Sequence, residues 1–261
     1  KALEFYEKAQ KIDKNIGNQS GMAENIGNMG SVFSNMGNYP KALEYHQKAL
    51  RINEKIGSQE GIASNLANIG TVYYSQSNYV KALEFYQKAK KIDEELGMQL
   101  GVAIILGNIG SVYWSESNYP KALEYHQKAL IINEELGNQS GIAMNLRNVG
   151  LVYLNQNNYS KALEYYEKSL TINKELDAKI EIASSLRNIA TLYNDKKEFA
   201  TAINYLNKAI KINQNIGVQE SSNYQSLSSS HWALNNAKTS SHYLDTMLNI
   251  NNKNILLNFT I

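Results

Sequence analysis

A segment reading Asn68-Ile69-Gly70-Thr71-Val72-Tyr73, then Asn78-Tyr79 and Lys81-Ala82-Leu83-Glu84, returns 40 residues later as Asn108-Ile109-Gly110-Ser111-Val112-Tyr113 with Asn118-Tyr119 and Lys121-Ala122-Leu123-Glu124. It returns again at Asn148-Val149-Gly150 and, more loosely, at Asn188-Ile189-Ala190, and it is preceded by Asn28-Met29-Gly30. A fixed period of this length without insertions restricts the chain to a helical repeat array, in which each unit buries its apolar face against the next. Full units fall at 21–60, 61–100, 101–140, 141–180 and 181–220. A half repeat at 1–20 precedes them, a degenerate repeat at 221–250 follows, and residues 251–261 form a tail with the apolar run Ile255-Leu256-Leu257-Asn258-Phe259. The opening at Lys1-Ala2-Leu3-Glu4, in mid-repeat and without methionine, predicts a fragment of a longer protein.

Each unit reads as two helices. Ile62, Ala63, Leu66, Ile69, Val72 and Tyr73 recur at helical spacing between Gly61 and Gln76, and Ala82, Leu83, Phe85, Tyr86, Ala89, Ile92 and Leu96 do so between Val80 and Leu96. Asn78 is placed to cap the second helix, and Pro40 and Pro120 fall in its first turn, where a missing N–H costs little. Gly57, Gly97, Gly137 and Gly217 stand where a left-handed cap ends it, and Asp177 is expected to hold the same corner less well. Gly30, Gly70, Gly110 and Gly150 sit mid-helix, at about 1 kcal/mol against alanine, which predicts a close approach where the two helices cross. The aromatic column Phe33, Tyr73, Tyr113, Tyr153 and Tyr193 is expected to fill the wedge between helices.

Leu66, Ile69-Gly70, Tyr73, Ala82, Tyr86 and Ala89 together resemble the signature of the tetratricopeptide (TPR) repeat, and the likeness covers the chain to about residue 250. One departure is that Glu54, Glu94, Glu134, Lys174 and Gln214 stand where the usual 34-residue unit has proline, so the second helix runs on to the glycine. This longer unit is similar to the repeats of kinesin light chains, of GoLoco-type spindle scaffolds and of bacterial TPR sensors and regulators. The resemblance implies an all-α, right-handed superhelix of antiparallel helix pairs, with first helices lining a concave groove that takes extended peptides or partner segments.

Against that background Asn28, Asn68, Asn108, Asn148 and Asn188 are candidate peptide-binding residues. An amide donates and accepts at once, which suits a peptide backbone. The alternative is that the column bonds a neighbouring helix and fixes the repeat. A patchier column, Asn25, Asn65 and Asn145, reads as partly packed. Arg147 and Arg187 hold equivalent places where earlier repeats have Gly27, Ala67 and Gly107. They suit an acidic group on the ligand, or else pair locally with Glu181 or Asp195. Tyr74 and Trp114 either offer an aromatic patch on the groove wall or pack between repeats. His46, His126 and His231 occupy packing positions and read as structural.

No catalytic or metal-ligating constellation stands out, and no cofactor is implied. The turn at 17–21, repeated at 137–141, lacks the lysine and preceding strand of a phosphate loop. A net charge of +2 gives no footprint for nucleic acid, and no apolar run reaches the ~18–20 residues of a membrane span. With no cysteine, disulfides are excluded and the compartment is left open. The reading is a non-catalytic scaffold binding a protein or peptide segment. Two alternatives are the regulatory or sensor region of a larger signalling protein, and an array that self-assembles through its exposed ends.

Overall fold

The computed structural model describes residues 2–218 and 220–259, with side chains for all of these except Ala237 and residues 252–259. Among them it is all helix. The order is α1 (Ala2–Asn15), α2 (Gln19–Asn35), α3 (Tyr39–Ile56), α4 (Gln59–Ser75), α5 (Tyr79–Glu95), α6 (Gln99–Ser115), α7 (Tyr119–Glu135), α8 (Gln139–Asn155), α9 (Tyr159–Glu175), α10 (Lys179–Asp195), α11 (Phe199–Asn215), α12 (Ser221–Ala233) and α13 (Ala237–Phe259). Even-numbered helices are the first of each repeat, and odd-numbered ones the second. The tail is helical backbone as far as Phe259, and the apolar side chains of Ile255 to Phe259 lie outside the described residues.

The corners explain the regularity. Asn38, Asn78, Asn118 and Asn158 each accept a bond from the N–H three residues on, at 3.2–3.4 Å, and so begin the second helices. Gly57, Gly97, Gly137 and Gly217 close them with φ between +65° and +72°. Asp177 adopts the same left-handed conformation at φ +51°, and its N–H bonds Lys174 O at 3.1 Å just as that of Gly137 bonds Glu134 O. The corner is thus kept in full geometry by a residue that pays strain for it. Left-handed residues also end the first helices, at Ser77, Ser117, Asn157 and Lys197, which the sequence reading did not single out.

The chain forms two compact units, residues 1–132 and 133–261. In the first, α2, α4 and α6 touch in sequence, and in the second α8, α10 and α12 do so. Among the described residues no such contact joins α3 to α5 or α9 to α11, and a cleft of about 720 Å³ opens between α9 and α11 over α10. Within each unit the first helices therefore make the more closely spaced layer. The core lies between the layers, with Ala82, Tyr86, Ala89, Ile105, Ile109 and Val112 in one unit and Ala162, Tyr166, Ile189, Leu192 and Ala209 in the other. Helix α1 has no buried residue, and Phe5 and Ile16 are about 70% exposed.

The mid-helix glycines seat rings. A Cβ on Gly30, Gly70, Gly110 or Gly150 would meet His46, Tyr86, His126 or Tyr166 at 2.7–2.9 Å. All four rings are about 1% exposed, so His46 and His126 are core residues, as their positions predicted. The outer aromatic column stacks within its own repeat. Tyr73 lies on Phe85, Tyr113 on Tyr125, Tyr153 on Tyr165 and Tyr193 on Tyr205, at centroid distances of 5.3–5.6 Å. A lysine amine caps each of these stacks 4.8–5.3 Å from the first ring.

A buried polar column runs through the second helices: Asn53, Asp93, Asn133, Asn173 and Asn213. Asn133 and Asn173 find an amide and a hydroxyl partner, Asn138 at 2.6 Å and Ser185 at 3.2 Å, and Asn213 bonds the Glu220 carboxylate at 3.0 Å. Asp93, the acidic member, has no hydrogen bond or ion pair among the described residues, and Ile105 stands where Asn25, Asn65, Asn145 and Ser185 do in other repeats. Burial, reinforced by the Glu60 charge, raises its carboxyl pKa above the ordinary value. A carboxylate whose folded pKa exceeds its unfolded one costs stability once ionised, so the penalty appears as pH rises through the carboxylate range. Asp93→Asn removes it and should stabilise the chain by roughly 1 kcal/mol at neutral pH and hardly at all in acid. Thermal midpoints at the two pH values check this; a variant less stable at neutral pH would contradict it.

Candidate functional site

The first helices carry all nine sequence-derived site residues. Asn28, Asn68 and Asn108 stand on α2, α4 and α6 of one unit, and Asn148 and Asn188 on α8 and α10 of the other. Every one is half-buried. Among the described residues none of the five side chains hydrogen-bonds to protein. That is unlike the second column, which gives its amide back to its own helix. Asn25, Asn65 and Asn145 donate to the carbonyls of Gly21, Gly61 and Gly141 at 2.7–3.0 Å. The hydroxyls one turn beyond the first column are likewise committed, Thr71 to Ala67 O at 3.1 Å and Thr191 to Arg187 O at 3.1 Å. The unpaired amides are thus a property of one column, not of polar residues on these helices in general.

The arginines differ from each other. Arg187 forms an ion pair with Glu220 and bonds Ser222 Oγ at 2.9 Å. Its partner is neither Glu181 nor Asp195. Glu220 in turn accepts from Asn213 and Asn223, so the guanidinium is built into the joint between α10 and α12. Arg147 is half-buried with no ion pair or hydrogen bond among the described residues. Burial lowers its pKa, and Tyr166 and the Glu181 charge act against that. It stays a cation, but a poorly hydrated one. A cleft of about 240 Å³ beside it is lined by Ala143, Met144, Ser169, Asn173 and Glu181. The two arginines are close enough for Arg147 to depress Arg187 further.

Tyr74 bonds Ser115 Oγ at 3.0 Å and lies 6.0 Å from the Tyr79 ring, which ties it into the seam between α4 and α6. Trp114 is half-buried, and its indole N–H has no hydrogen-bond partner among the described residues. No ring contact brings the two together. Two participants were missed by the sequence reading. Glu220 closes the unit 181–220, at a place that holds Ser20, Leu100, Ser140 and Ile180 in other repeats, so no recurring pattern marks it. Tyr166 reads as core, yet its hydroxyl is buried without a partner; the signal was Leu151 standing at the place of Thr71.

Among the described residues no group of three or more acidic, histidine or cysteine side chains is arranged to hold a metal ion. None of the described helices is long and apolar enough to cross a membrane.

Tetratricopeptide repeat profiles match residues 19–95, 101–175 and 183–216. The chain belongs to the tetratricopeptide repeat family. Comparison with curated protein sequences gives no significant match. Solved structures similar to this TPR chain include BtubC (BKLC) from P. vanneervenii, at 20% identity over 84% of this chain and 91% of that one, with a TM-score of 0.66. Another is the STAND signal transduction ATPase with a tetratricopeptide repeat sensor from Pyrococcus horikoshii, at 21% identity over 93% of this TPR chain but 38% of that protein, with a TM-score of 0.68. A third is a Rap protein complexed with competence and sporulation factor, at 16% identity over 96% and 70% of the two chains, with a TM-score of 0.69. At these identities the likeness establishes the fold. TPR repeats are protein–protein interaction scaffolds and are typically non-catalytic.

Proposed function

We propose that the chain is a non-catalytic module that holds an extended peptide or partner segment along its first helices, with Asn28, Asn68, Asn108, Asn148 and Asn188 as the backbone-binding groups. The observation that carries this is the row of half-buried amides without protein partners. A half-buried amide left to water is cheap while the surface is wet, and it is ready to exchange that water for a peptide N–H and C=O. Were the column a structural ladder, its amides would be bonded to neighbouring helices, as those of Asn65 and Asn145 are to their own. Arg147 extends the surface with a positive charge for an acidic group on the ligand. Arg187 contributes field more than contact, since Glu220 holds it. Trp114 supports an aromatic wall, whereas Tyr74 is turned to packing.

A second reading is that the array is the sensor region of a larger signalling protein. The similar STAND protein carries a tetratricopeptide repeat sensor, and this chain spans only 38% of it. The full-length gene decides that reading, and peptide binding is compatible with both.

The test is a peptide-library selection on the purified array, followed by titration of a hit. Each of Asn108→Ala, Asn148→Ala and Asn188→Ala should weaken the hit by roughly 0.5–1.5 kcal/mol, the net worth of an ordinary hydrogen bond. Thermal stability should change less than affinity. Variants that unfold the array while the folded remainder binds normally would overturn the assignment.

A further inference from the structure

Tyr86 and Tyr166 hold equivalent places, one in each compact unit, and their rings seat alike. A Cβ at Gly70 would lie 2.8 Å from the Tyr86 ring, and one at Gly150 would lie 2.7 Å from the Tyr166 ring. Their hydroxyls differ. Tyr86 Oη lies 3.1 Å from Thr71 Oγ1. At the matching place in the other unit stands Leu151, and the Tyr166 hydroxyl is buried with no hydrogen-bond partner among the described residues. An unpaired buried hydroxyl carries its full desolvation cost, so it calls for a partner absent from the chain itself.

Arg147 is one helical turn before Leu151 on α8, so the two share a face. It too is half-buried and without a partner. Burial pushes the Tyr166 phenol well above its ordinary pKa, while the Arg147 charge pulls it down and that of Asp195 pushes it up, so the guanidinium lies within electrostatic reach of the hydroxyl. Two donors without a partner among the described residues thus lie near each other, Arg147 on α8 and Tyr166 on α9.

We propose that Arg147 and Tyr166 form a subsite for a single carboxylate, the guanidinium giving two N–H bonds and the phenol donating its O–H. The proposal rests on the peptide-binding reading above and names the group that the charged part of that surface takes. A carboxylate fits better than a phosphate. Of Arg147 and Arg187 only Arg147 is without an ion pair among the described residues, because Glu220 neutralises Arg187. Asp195 and Glu181 add negative charge near Tyr166 and Arg147, which disfavours a second negative charge on the ligand. A planar monoanion matches one arginine fork and leaves a lone pair for the hydroxyl. The Tyr166 hydroxyl is buried, so the proposal requires the side chains over it to shift when the carboxylate pairs with Arg147.

The test uses the whole chain with acetate and, separately, inorganic phosphate as probes, following the Arg147 side-chain NMR signal. Acetate should shift that signal and the Tyr166 ring signals saturably, and in Arg147→Ala acetate should leave the Tyr166 ring signals unmoved. Tyr166→Phe should weaken acetate roughly five- to tenfold, the scale of a lost bond to a charged group, without lowering the thermal midpoint. Leu151→Thr should supply the hydroxyl with an internal partner, as Thr71 does for Tyr86; acetate weakens and the midpoint rises. Tyr86→Phe, which breaks a made bond, is the control that should lower the midpoint. N-acetylglycine and the amide of N-acetylaspartate then tell a chain-terminal carboxylate from a side-chain one, and tighter binding of either supports the subsite. An unmoved Arg147 signal overturns it. So does undiminished acetate binding in both Tyr166→Phe and Leu151→Thr, or a clear preference for phosphate. No peptide is used, so this outcome is independent of the asparagine column.

Discussion

Acidification from neutral pH should cost the native chain about 3 kcal/mol through His46 alone, and His46→Tyr should abolish that part of the loss. His46 is about 1% exposed, and burial lowers its pKa to about 4, with the facing Asn65 amide opposing the shift in part. The unfolded side chain titrates near 6.5, the ordinary value for histidine. The folded pKa lies below the unfolded one, so between these values the unfolded state binds the extra proton. Stability is whole above the upper value, falls as pH drops through the window, and falls no further below about 4. A gap of about two and a half pKa units corresponds to roughly 3 kcal/mol. Tyrosine is the suitable replacement because Tyr86 occupies the matching seat beside Gly70 and reaches Thr71, and Ser31 offers the matching hydroxyl here. Denaturant midpoints for both proteins across the window give the difference, in which carboxylate titrations common to the two cancel. Parallel pH profiles would contradict the burial of a neutral imidazole.

Gly70→Leu should destabilise its repeat by roughly 3 kcal/mol, in the upper part of the range for overpacked cores. Any side chain at 70 begins with a Cβ 2.8 Å from the Tyr86 ring and 3.3 Å from Ala82 O. The ring has nowhere to go, since it is about 1% exposed among Ala82, Ala89 and Ile109. Removing a helix glycine returns up to about 1 kcal/mol, which does not offset the clash. In a linear array the damage stays near the substituted unit, so amide exchange should rise in α4 and α5 and hardly in α10 and α11. Native protection throughout α4 and α5 would refute the seating of the ring on the glycine.

These expectations show what the sequence made legible. Helical periodicity and Asn-capped, glycine-closed corners placed the helix boundaries within two residues, as α4 and α5 show against Gly61 to Gln76 and Val80 to Leu96. The mid-helix glycines announced a close approach, though not that rings would be what approaches. The repeat also made the asparagine column visible, and structure adds that its amides lack partners. What stayed hidden depends on departures from the period. Arg187 finds Glu220 at the end of its own unit, at a place that holds Ser20, Leu100, Ser140 and Ile180 in other repeats, so no column rule points to it. The unpaired groups of Asp93 and Tyr166 go with Ile105 and Leu151, apolar residues unremarkable by themselves, at places that hold Asn65 and Thr71 in other repeats. Their meaning appears only when each is compared with its counterparts one period away and the facing side chain is known.

Under the proposed function, the asparagine amides exchange water for a ligand's backbone. The most direct measurement follows the side-chain amide NMR signals of Asn28, Asn68, Asn108, Asn148 and Asn188 while a selected peptide is titrated in. The account predicts that the signals of consecutive asparagines move together and saturate at the peptide's own dissociation constant, while those of Asn65 and Asn145, bonded to Gly61 O and Gly141 O, stay in place. A peptide that binds and saturates while all five signals remain unmoved would contradict it.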